Sequence, residues 1–554
     1  MKKKVLITAL NSKFIHSNPA IYEIKTAYEK YENDFSVSMP KLLLKEFSVN
    51  DTEDSIIYSI CEEMPDIIAF SVYIWNSMII ENLCKKIRKI SPQAKIILGG
   101  PQVSFGIENT NFEYNDYDYL IIGEGERAFF VLISEIVNIK INNPCEWKYK
   151  RENKKVYCDT AENPEDYPLI YTEENLHLFD NRIIYYESSR GCPFKCAYCL
   201  SSVCGNVRGL SVERVKKDID FFLTHEIRQV KFVDRTFNYD KKRANEIWEY
   251  LIEKANDNKT NFHFEIDADL IDESAIKILS KAPKGLIKFE AGIQSFNEKT
   301  LKEINRNCKL EKLSKNLKKI IKLQNINIHS DLIVGLPFED KESFIFSFNK
   351  AYEIGSHQLQ LGFLKLLPGA PLNEMIEKHE FVFSKYPPYE IISNKYLSSF
   401  DVLFFKKIED VFERFFNSGR FIFSLKSLEK YFENPFKLFE KISENFKENN
   451  LLFSSVSTKN LYCFLHNFFK KNLDENSVEF DKILLLDYYC SERSEQIPIE
   501  LKYLTASQKH IKEEFLLEHS LKKNECLRII ENEIYIFDYS EKNPVDERYN
   551  FTKL

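Results

Sequence analysis

Short, continuously apolar runs alternate with helical stretches over the first 140 residues of the chain. Continuous apolar runs are typical of strands buried on both faces of a parallel sheet, whereas half-exposed strands alternate in polarity. The pattern therefore predicts a doubly wound, Rossmann-like α/β domain over residues 1–140, which would bind ligands outside the carboxyl ends of its strands. The predicted strands are residues 5–10, 67–71, 96–98 and 119–122.

A second α/β series follows residues 141–180, a segment of weak periodicity that we interpret as a linker. Each gap between its predicted strands is long enough for one crossover helix, so the strands are expected to be parallel. Six β/α units over residues 181–385 predict a partial, TIM-like barrel whose chemistry gathers at the carboxyl ends of the strands. The strands are expected near residues 183–188, 229–234, 261–267, 286–292, 327–334 and 358–363.

From residue 386 the pattern becomes helical and aromatic, which predicts a mostly helical domain over residues 386–554. Composition supports a chain that is folded throughout, because 44% of its residues are hydrophobic. The net charge of −7 is spread thinly, with lysines scattered among acids, which argues against duplex nucleic acid as a partner. The sequence shows neither a signal peptide nor an apolar run of membrane length, so we expect a cytoplasmic protein with reduced cysteines.

Three cysteines, Cys192, Cys196 and Cys199, directly follow the first predicted barrel strand. At this C-x3-C-x2-C spacing, three thiolates can bind three irons of a four-iron, four-sulfur (4Fe–4S) cluster and leave the fourth iron open to a substrate or cofactor. Structural zinc is the alternative, because it takes four ligands and Cys204 is a candidate fourth. The loop alone leaves both interpretations open.

The spacing, the aromatic Tyr198 before the last cysteine and the position after the first strand of a β/α series resemble the radical S-adenosylmethionine (SAM) superfamily. That resemblance implies that the open iron chelates SAM and that reduction of the cluster releases a 5′-deoxyadenosyl radical. It also implies an electron donor, such as flavodoxin or ferredoxin. The metal ligands would be Cys192, Cys196 and Cys199.

The later strand ends carry polar residues where this family binds its cofactor. The common family pattern after the second strand is two adjacent acids, but here Arg235 follows Asp234. For each polar residue the alternative is a cap or turn at a strand end. Resemblance to the family's methionine, ribose and adenine contacts implies a cofactor-binding set of Tyr198, Asp234, Thr236, Glu290, Gln294, Ser295, Ile333 and Gly335.

The first domain resembles the cobalamin-binding domains that precede many radical SAM barrels, notably in residues 99–104 (GGPQVS) and 123–126 (GEGE). Two departures bear on cobalamin itself. The sequence contains no Asp-x-His-x-x-Gly pattern, so a lower axial histidine is not indicated, and the lone His16 is interpreted as a loop residue. Tyr73 and Trp75 stand where related domains carry small residues, so protein side chains could instead fill the cavity.

The third barrel strand bears on the substrate. Strand alternation predicts that Glu265, Asp267 and Asp269 share one face, and buried carboxylates need cations or hydrogen bonds. The cation would be either a protein group, Arg235 or Lys288, or an amine-bearing small-molecule substrate.

Three functions are compatible with these features. The acidic strand favours radical cleavage of a C–N or C–C bond in a small polar amine, with Glu265, Asp267 and Asp269 as catalytic residues. Queuine, a modified deazaguanine, is a specific candidate, since queuine lyases resemble radical enzymes of this architecture. The alternative is cobalamin-dependent methyl transfer to an unactivated carbon. A non-enzymatic, zinc-stapled binding protein is the third.

Overall fold

The structure is a computed structural model that describes residues 3–141, 149–151, 154–159, 163–203, 205–255, 259–473, 477–505, 512, 515–516, 520–531 and 533–554. The chain divides into two compact units, which are described separately. Unit 1 comprises Met1–Glu265, Ile304–Arg306 and Lys365–Ile392, and unit 2 comprises Ile266–Glu303, Asn307–Leu364 and Ser393–Leu554.

Unit 1 begins with the predicted doubly wound domain. Its sheet has the strand order β2-β1-β3-β4-β5-β7-β6, in which only β6 is antiparallel to its neighbour. The elements are β1 (Lys4–Asn11), α1 (Pro19–Asp34), β2 (Lys41–Ser48), α2 (Glu53–Glu62), β3 (Ile67–Ser71), α3 (Ser77–Ile90), β4 (Lys95–Gly99), α4 (Pro101–Gly106), β5 (Tyr119–Gly123), α5 (Glu126–Ile136), β6 (Tyr149–Arg151) and β7 (Lys154–Asp159).

The four predicted strands of this sheet are confirmed as β1, β3, β4 and β5, and the middle residues of each are buried. The sequence did not predict β2, which pairs with β1 alone and is half-buried along most of its length. Such an edge strand needs no continuous apolar run. The hairpin of β6 and β7 was also missed and was assigned to the linker, although β7 extends the sheet parallel to β5.

The second series of strands also starts in unit 1. Its strands run parallel in the order β8-β11-β12, and a short antiparallel pair, β9 with β10, brackets the cysteine loop. The elements are β8 (Ile184–Tyr186), β9 (Ser189–Arg190), β10 (Arg208–Gly209), α6 (Val212–Thr224), β11 (Gln229–Phe232), α7 (Lys241–Ala255) and β12 (Asn261–Ile266).

Unit 2 contains the other three strands of the series, which are parallel in the order β13-β14-β15. Buried and half-buried side chains alternate strictly along β14. One face of this strand is therefore buried, and the other face is half-buried. All six predicted barrel strands are therefore present. The elements are α8 (Glu273–Leu279), β13 (Ile287–Gln294), α9 (Glu298–Glu303), α10 (Leu310–Lys322), β14 (Asn327–Val334), α11 (Lys341–Tyr352) and β15 (Gln358–Phe363).

The remainder of the chain is mostly helical, as predicted, and its core is rich in phenylalanine. A three-stranded antiparallel sheet near its end was not predicted. Among the described residues, none of the helices combines the length and the apolar character needed to cross a bilayer. The elements are α12 (Ile376–His379), β16 (Val382–Phe383), β17 (Ile391–Ser393), α13 (Ser399–Phe412), α14 (Ile422–Glu429), α15 (Pro435–Glu448), α16 (Thr458–Asn472), α17 (Val478–Ser491), β18 (Glu525–Ile530), β19 (Glu533–Asp538) and β20 (Asn550–Lys553).

Candidate active site at the cysteine loop

The cysteine loop leaves β9 through Gly191, which has a φ of +92°. A Cβ at this position would lie 2.9 Å from the carbonyl oxygen of Asn206, which is backbone and cannot rotate away. Only glycine tolerates both the left-handed conformation and the close approach. The Arg-Gly-Cys sequence therefore sets the path of the chain just before the first cysteine.

Backbone hydrogen bonds fix the middle of the loop. The Ala197 N–H donates to the Ile304 carbonyl at 2.8 Å, and the Ala197 carbonyl accepts the Leu372 N–H at 2.8 Å. The side-chain amide of Asn305 donates to the Lys195 carbonyl at 3.0 Å. Segments distant in sequence thus hold the loop that carries Cys196 in place.

The three cysteines lie together in unit 1. Cys192 and Cys196 are buried and Cys199 is half-buried. Burial raises the pKa of the Cys196 thiol, whereas Arg306, which hydrogen-bonds the sulfur, lowers it, and charge on Cys199 and Cys192 would raise it further. A cation beside several thiolates offsets part of the charge that they would bring to a cluster.

Three thiolates from one loop are a donor set that suits a 4Fe–4S cluster. Within the part of the chain that the structure describes, no three His, Cys, Asp or Glu side chains form a group that could hold one metal ion. A 4Fe–4S cluster does not require three thiolates to converge on one point, because each binds its own iron. Cys204, the candidate fourth zinc ligand, lies outside the described residues.

Asp234 is fully buried behind the cysteine loop. Its carboxylate accepts the backbone N–H of Ser188 at 2.8 Å, the Ser188 hydroxyl at 2.7 Å and the Ser189 hydroxyl at 2.6 Å. Burial raises the pKa of Asp234, and these donors oppose the rise. The structure therefore gives Asp234 the role of anchoring the segment that enters the cysteine loop, and the predicted contact to the methionine part of SAM stays a prediction.

Thr236 lies beside the first cysteine, with its hydroxyl oxygen 3.5 Å from the sulfur of Cys192. The same hydroxyl donates to the carbonyl of Arg235 at 2.7 Å. Tyr198 is half-buried within the loop. The structure thus places Thr236 beside Cys192, and the cofactor contacts expected of Thr236 and Tyr198 stay predictions.

We expect Asp234→Asn to lower the free energy of unfolding by about 1–3 kcal/mol, because an amide leaves one of the three donors without its acceptor in a buried site. Iron content should fall together with the melting temperature. Asp220→Asn on the exposed side of α6 is the control, and thermal denaturation of both proteins measures the difference. Equal melting temperatures would contradict the anchoring role.

Unit 2 holds the predicted ribose contacts at the end of β13. Gln294 has a φ of +71°, is 7% exposed, and its side-chain carbonyl has no hydrogen-bond partner within the described residues. Glu290 is half-buried on the same strand. Ser295 is engaged elsewhere: its hydroxyl donates to Glu339 at 2.6 Å and accepts the Asn297 N–H at 2.9 Å. Compared with Ser295, Gln294 therefore has the side chain that is more available to hydrogen-bond a ligand.

Glu339 was not predicted as a site residue. Besides Ser295 it accepts the hydroxyl of Ser347 at 2.8 Å, and burial raises its pKa to about 7. Its position in the sequence Leu-Pro-Phe-Glu, just past β14, was the available signal, but its buried partners could not be read from the sequence. Of the predicted adenine platform, Ile333 is half-buried on β14. Gly335 has a φ of +97°.

The acidic strand behaves only partly as predicted. Alternation is confirmed along β12, but the strand ends at Ile266, so Asp267 and Asp269 lie in the following turn. Asp267 accepts the backbone N–H of Asp269 at 3.0 Å, and Asp269 pairs with Lys312 at 3.5 Å. Asp267 keeps an extended backbone, but its side chain caps the short turn Ala268–Leu270 and Asp269 lies inside that turn, so the strand alternation behind the expected shared face does not continue to Asp269. Glu265 is half-buried at the end of the strand.

Arg235 and Lys288, the two protein cations expected to neutralise the acidic strand, lie in different environments. Lys288 lies 3.4 Å from Glu547 in unit 2. Arg235 is exposed and lines a cavity of unit 1. Within unit 2, the cation found for the acidic turn is Lys312 rather than Lys288.

This cavity of unit 1 has a volume of about 430 Å³, within the range of roughly 300–1,000 Å³ typical of small-molecule sites. Its walls combine the carboxyl ends of β3, β4 and β5 with residues around the cysteine loop. From the first domain they include Ser71, Tyr73, Gly99, Gly100, Ser104, Gly123 and Glu124, and from the loop Ser189, Arg190, Gly191, Leu200 and Ser201.

The cavity remains open despite the two aromatic residues that the sequence suggested would fill it. Tyr73 lines the cavity, and Trp75 stacks on it with ring centroids 4.4 Å apart. Trp75 is 46% exposed, and its indole N–H donates to the Leu10 carbonyl. His16 does not line the cavity and instead contacts the Tyr185 hydroxyl at 2.5 Å. The glycines at the strand ends leave room there for a flat ligand such as a corrin, and charged side chains line the side of the cysteine loop.

Three segments of the chain match known families. Residues 6–133 match the B12 binding domain, residues 186–351 match the radical SAM superfamily, and residues 377–543 match a family described as "Protein of unknown function (DUF4080)". The chain thus combines a segment similar to B12 binding domains with a segment similar to the radical SAM superfamily, and the cysteine loop lies in the second.

The relatives agree with this assignment. The chain is 26% identical over 339 residues to the cobalamin-dependent radical SAM methyltransferase TokK of Streptomyces tokunonensis, a match that covers 57% of this chain and 49% of TokK. The chain thus spans about half the length of the first curated relatives that it matches.

Two solved structures share the fold. The cobalamin-dependent SAM radical enzyme OxsB aligns with a TM-score of 0.58 at 17% identity, over 94% of this chain and 82% of OxsB. The radical SAM methyltransferase TsrM of Kitasatospora setae aligns with a TM-score of 0.54 at 14% identity, over 69% of this chain and 76% of TsrM. The predicted fold class, a Rossmann-like domain followed by a TIM-like barrel and a mostly helical region, is confirmed.

Proposed function

We propose that this chain is a cobalamin-dependent radical SAM methyltransferase that acts on a small molecule. The observation that carries the proposal is a cavity of unit 1 whose walls come both from the strand ends of the B12-binding domain and from the cysteine loop. A corrin held there would lie against the loop that binds the cluster. When bound, the cluster, SAM and cobalamin supply a hydrogen-abstracting radical and a transferable methyl group.

The chain's own residues have distinct tasks in this proposal. Cys192, Cys196 and Cys199 bind the cluster, and Arg306 offsets part of its negative charge. Gln294 of unit 2 is the proposed ribose contact, because its side-chain carbonyl has no hydrogen-bond partner within the described residues. The walls of the cavity exclude water from the corrin. An electron donor such as flavodoxin or ferredoxin is required as a partner.

The relatives favour methyl transfer over the lyase function that the acidic strand suggested. TokK and TsrM are both described as methyltransferases, and the queuine-lyase hypothesis has no support among the comparisons. Among the acids behind that hypothesis, Asp267 caps the turn after β12 and Asp269 pairs with Lys312. We therefore give up queuine as a substrate.

Cobalamin binding tests the proposal directly. Anaerobically prepared protein incubated with hydroxocobalamin should retain about one cobalt per chain after gel filtration. Ile121→Trp, which places an indole in the cavity wall, should reduce retention, whereas the same change at the exposed Ile90 should not. Wild-type protein that retains no cobalt would contradict the proposal.

Glu265 remains a candidate for binding an amine on the substrate. If it does so, Glu265→Gln should weaken substrate binding by about 10- to 100-fold, since a charge-assisted hydrogen bond contributes roughly 1.5–3 kcal/mol. Cluster content and uncoupled SAM cleavage should survive. Asp267→Asn and Asp269→Asn should instead lower thermal stability and leave substrate affinity unchanged. Substrate affinity that is equal in all three variants and the wild type would end the amine hypothesis.

A further inference from the structure

One guanidinium in unit 1 lies among four carboxylates. Arg190, two residues before the first cysteine, lies 2.5 Å from Glu187, 2.6 Å from Glu126, 3.3 Å from Glu23 and 3.5 Å from Glu124. Its side chain is 13% exposed and that of Glu126 is 6% exposed, so these charges are largely removed from water. Removing one partner from such a buried pair is costly, because the other charge is left uncompensated.

A second arginine extends the group. Arg208 stands opposite Arg190 in the pairing of β9 with β10, and it binds Glu124 through its guanidinium. Both strands that bracket the cysteine loop are thereby tied to one turn, residues 123–126, between β5 and α5. The planar fork of each guanidinium orients the carboxylates as well as attracting them.

That turn is also a wall of the cavity proposed for cobalamin, which is lined by Gly123, Glu124, Gly125 and Glu126. We infer that Arg190 and Arg208 with Glu124 and Glu126, here called the clamp, couple the cobalamin site to the cluster site. Glu124 and Glu126 are positioning residues, which act on the cluster through the cysteine loop. The coupling between the sites rests on the proposed cobalamin binding, whereas the clamp itself rests on the ion pairs.

Coupling of this kind is reciprocal and measurable without turnover. In cluster-loaded wild-type protein, saturating hydroxocobalamin should slow the loss of iron to a ferrous chelator by at least about fivefold, the lower end of typical coupling. In Glu126→Gln, still saturated with cobalamin as judged by bound cobalt, the effect should fall below about twofold. Glu124→Gln repeats the test should Glu126→Gln fail to fold.

Glu46→Gln is the matched control. Glu46 is equally buried in unit 1 and pairs with Arg182 at 3.3 Å, outside the clamp. The Glu46→Gln protein should lose stability to a similar extent as the Glu126→Gln protein, and it should retain the full effect of cobalamin on iron loss. A general loss of stability would remove the effect in both variants.

Three results would overturn the coupling: no effect of bound cobalamin in the wild type, a full effect in Glu126→Gln, or an equal loss in Glu46→Gln. Wild-type protein that binds no cobalamin would instead contradict the proposed function. The clamp is then tested on cobalamin-free protein, in which Glu126→Gln should release iron faster than Glu46→Gln. Equal rates there would overturn the clamp itself.

Discussion

Replacing Cys192, Cys196 or Cys199 with alanine should abolish the visible iron–sulfur absorption of the anaerobically purified protein. Each thiolate holds a different iron, so two remaining ligands cannot retain the cluster. Reductive cleavage of SAM should fall to the background of cluster-free protein. Iron analysis, the visible spectrum and the yield of 5′-deoxyadenosine measure the three effects.

Two cysteines outside the proposed ligand set are the controls. Cys61→Ala changes a half-buried thiol on α2, and Cys204→Ala removes the candidate fourth zinc ligand. Both variants should keep the absorption. Stoichiometric zinc without iron in the wild type, or loss of the metal in Cys204→Ala, would contradict the cluster assignment and favour the zinc-stapled alternative.

Gly100→Ala should strongly weaken cobalamin retention. Gly100 has a φ of +103°, and a Cβ there would lie 2.6 Å from the carbonyl oxygen of Val72 and 3.0 Å from its nitrogen. Both atoms are backbone of the adjacent strand end, so the turn at the cavity wall must shift. Retained cobalt should fall at least about tenfold, equivalent to 1.4 kcal/mol, while iron content stays unchanged.

Gly205→Ala is the control for Gly100→Ala. It places alanine in the same left-handed conformation but without a steric clash. Gly205 has a φ of +78°, but nothing lies within 4 Å of an added Cβ. This variant should lose about 1 kcal/mol of stability at most and retain cobalamin. Equal cobalt retention in Gly100→Ala and the wild type would show that this turn does not shape the cobalamin site.

The sequence predicted most of the fold because buried parallel strands leave continuous apolar runs. β3 matches its predicted bounds, and so do β14 and β15. The edge strand β2 was not predicted, because pairing on one side leaves it half-exposed and it carries Lys45 and Glu46 in its middle. The antiparallel sheet of β18, β19 and β20 was obscured by the aromatic, helix-like composition around it.

Within the site, the sequence identified the residue types and not their partners. The three cysteines were found from their spacing, which is local information. Asp234 was found, but its saturation by Ser188 and Ser189 is a tertiary arrangement. The acids after β12 were misplaced because a side-chain cap ended the strand early.

The ion pairs of the clamp could not be predicted from the sequence. The Gly-Glu-Gly-Glu turn was recognised as a polar loop at a strand end, where ligands are expected. Nothing in its local pattern indicates that its carboxylates bind Arg190 and Arg208, which follow about 60 or more residues later. Such pairs become visible only when the chain is folded.

The products formed from SAM distinguish cobalamin-dependent methyl transfer from radical bond cleavage. Reduced, cluster-loaded protein is incubated with SAM and a candidate small-molecule substrate, with and without hydroxocobalamin, and both nucleoside products are quantified. If the protein is a cobalamin-dependent methyltransferase, S-adenosylhomocysteine should form together with 5′-deoxyadenosine only when cobalamin is bound, and Cys196→Ala should form no S-adenosylhomocysteine. Formation of 5′-deoxyadenosine alone, at the same rate with and without cobalamin, would contradict methyl transfer and point back to radical bond cleavage.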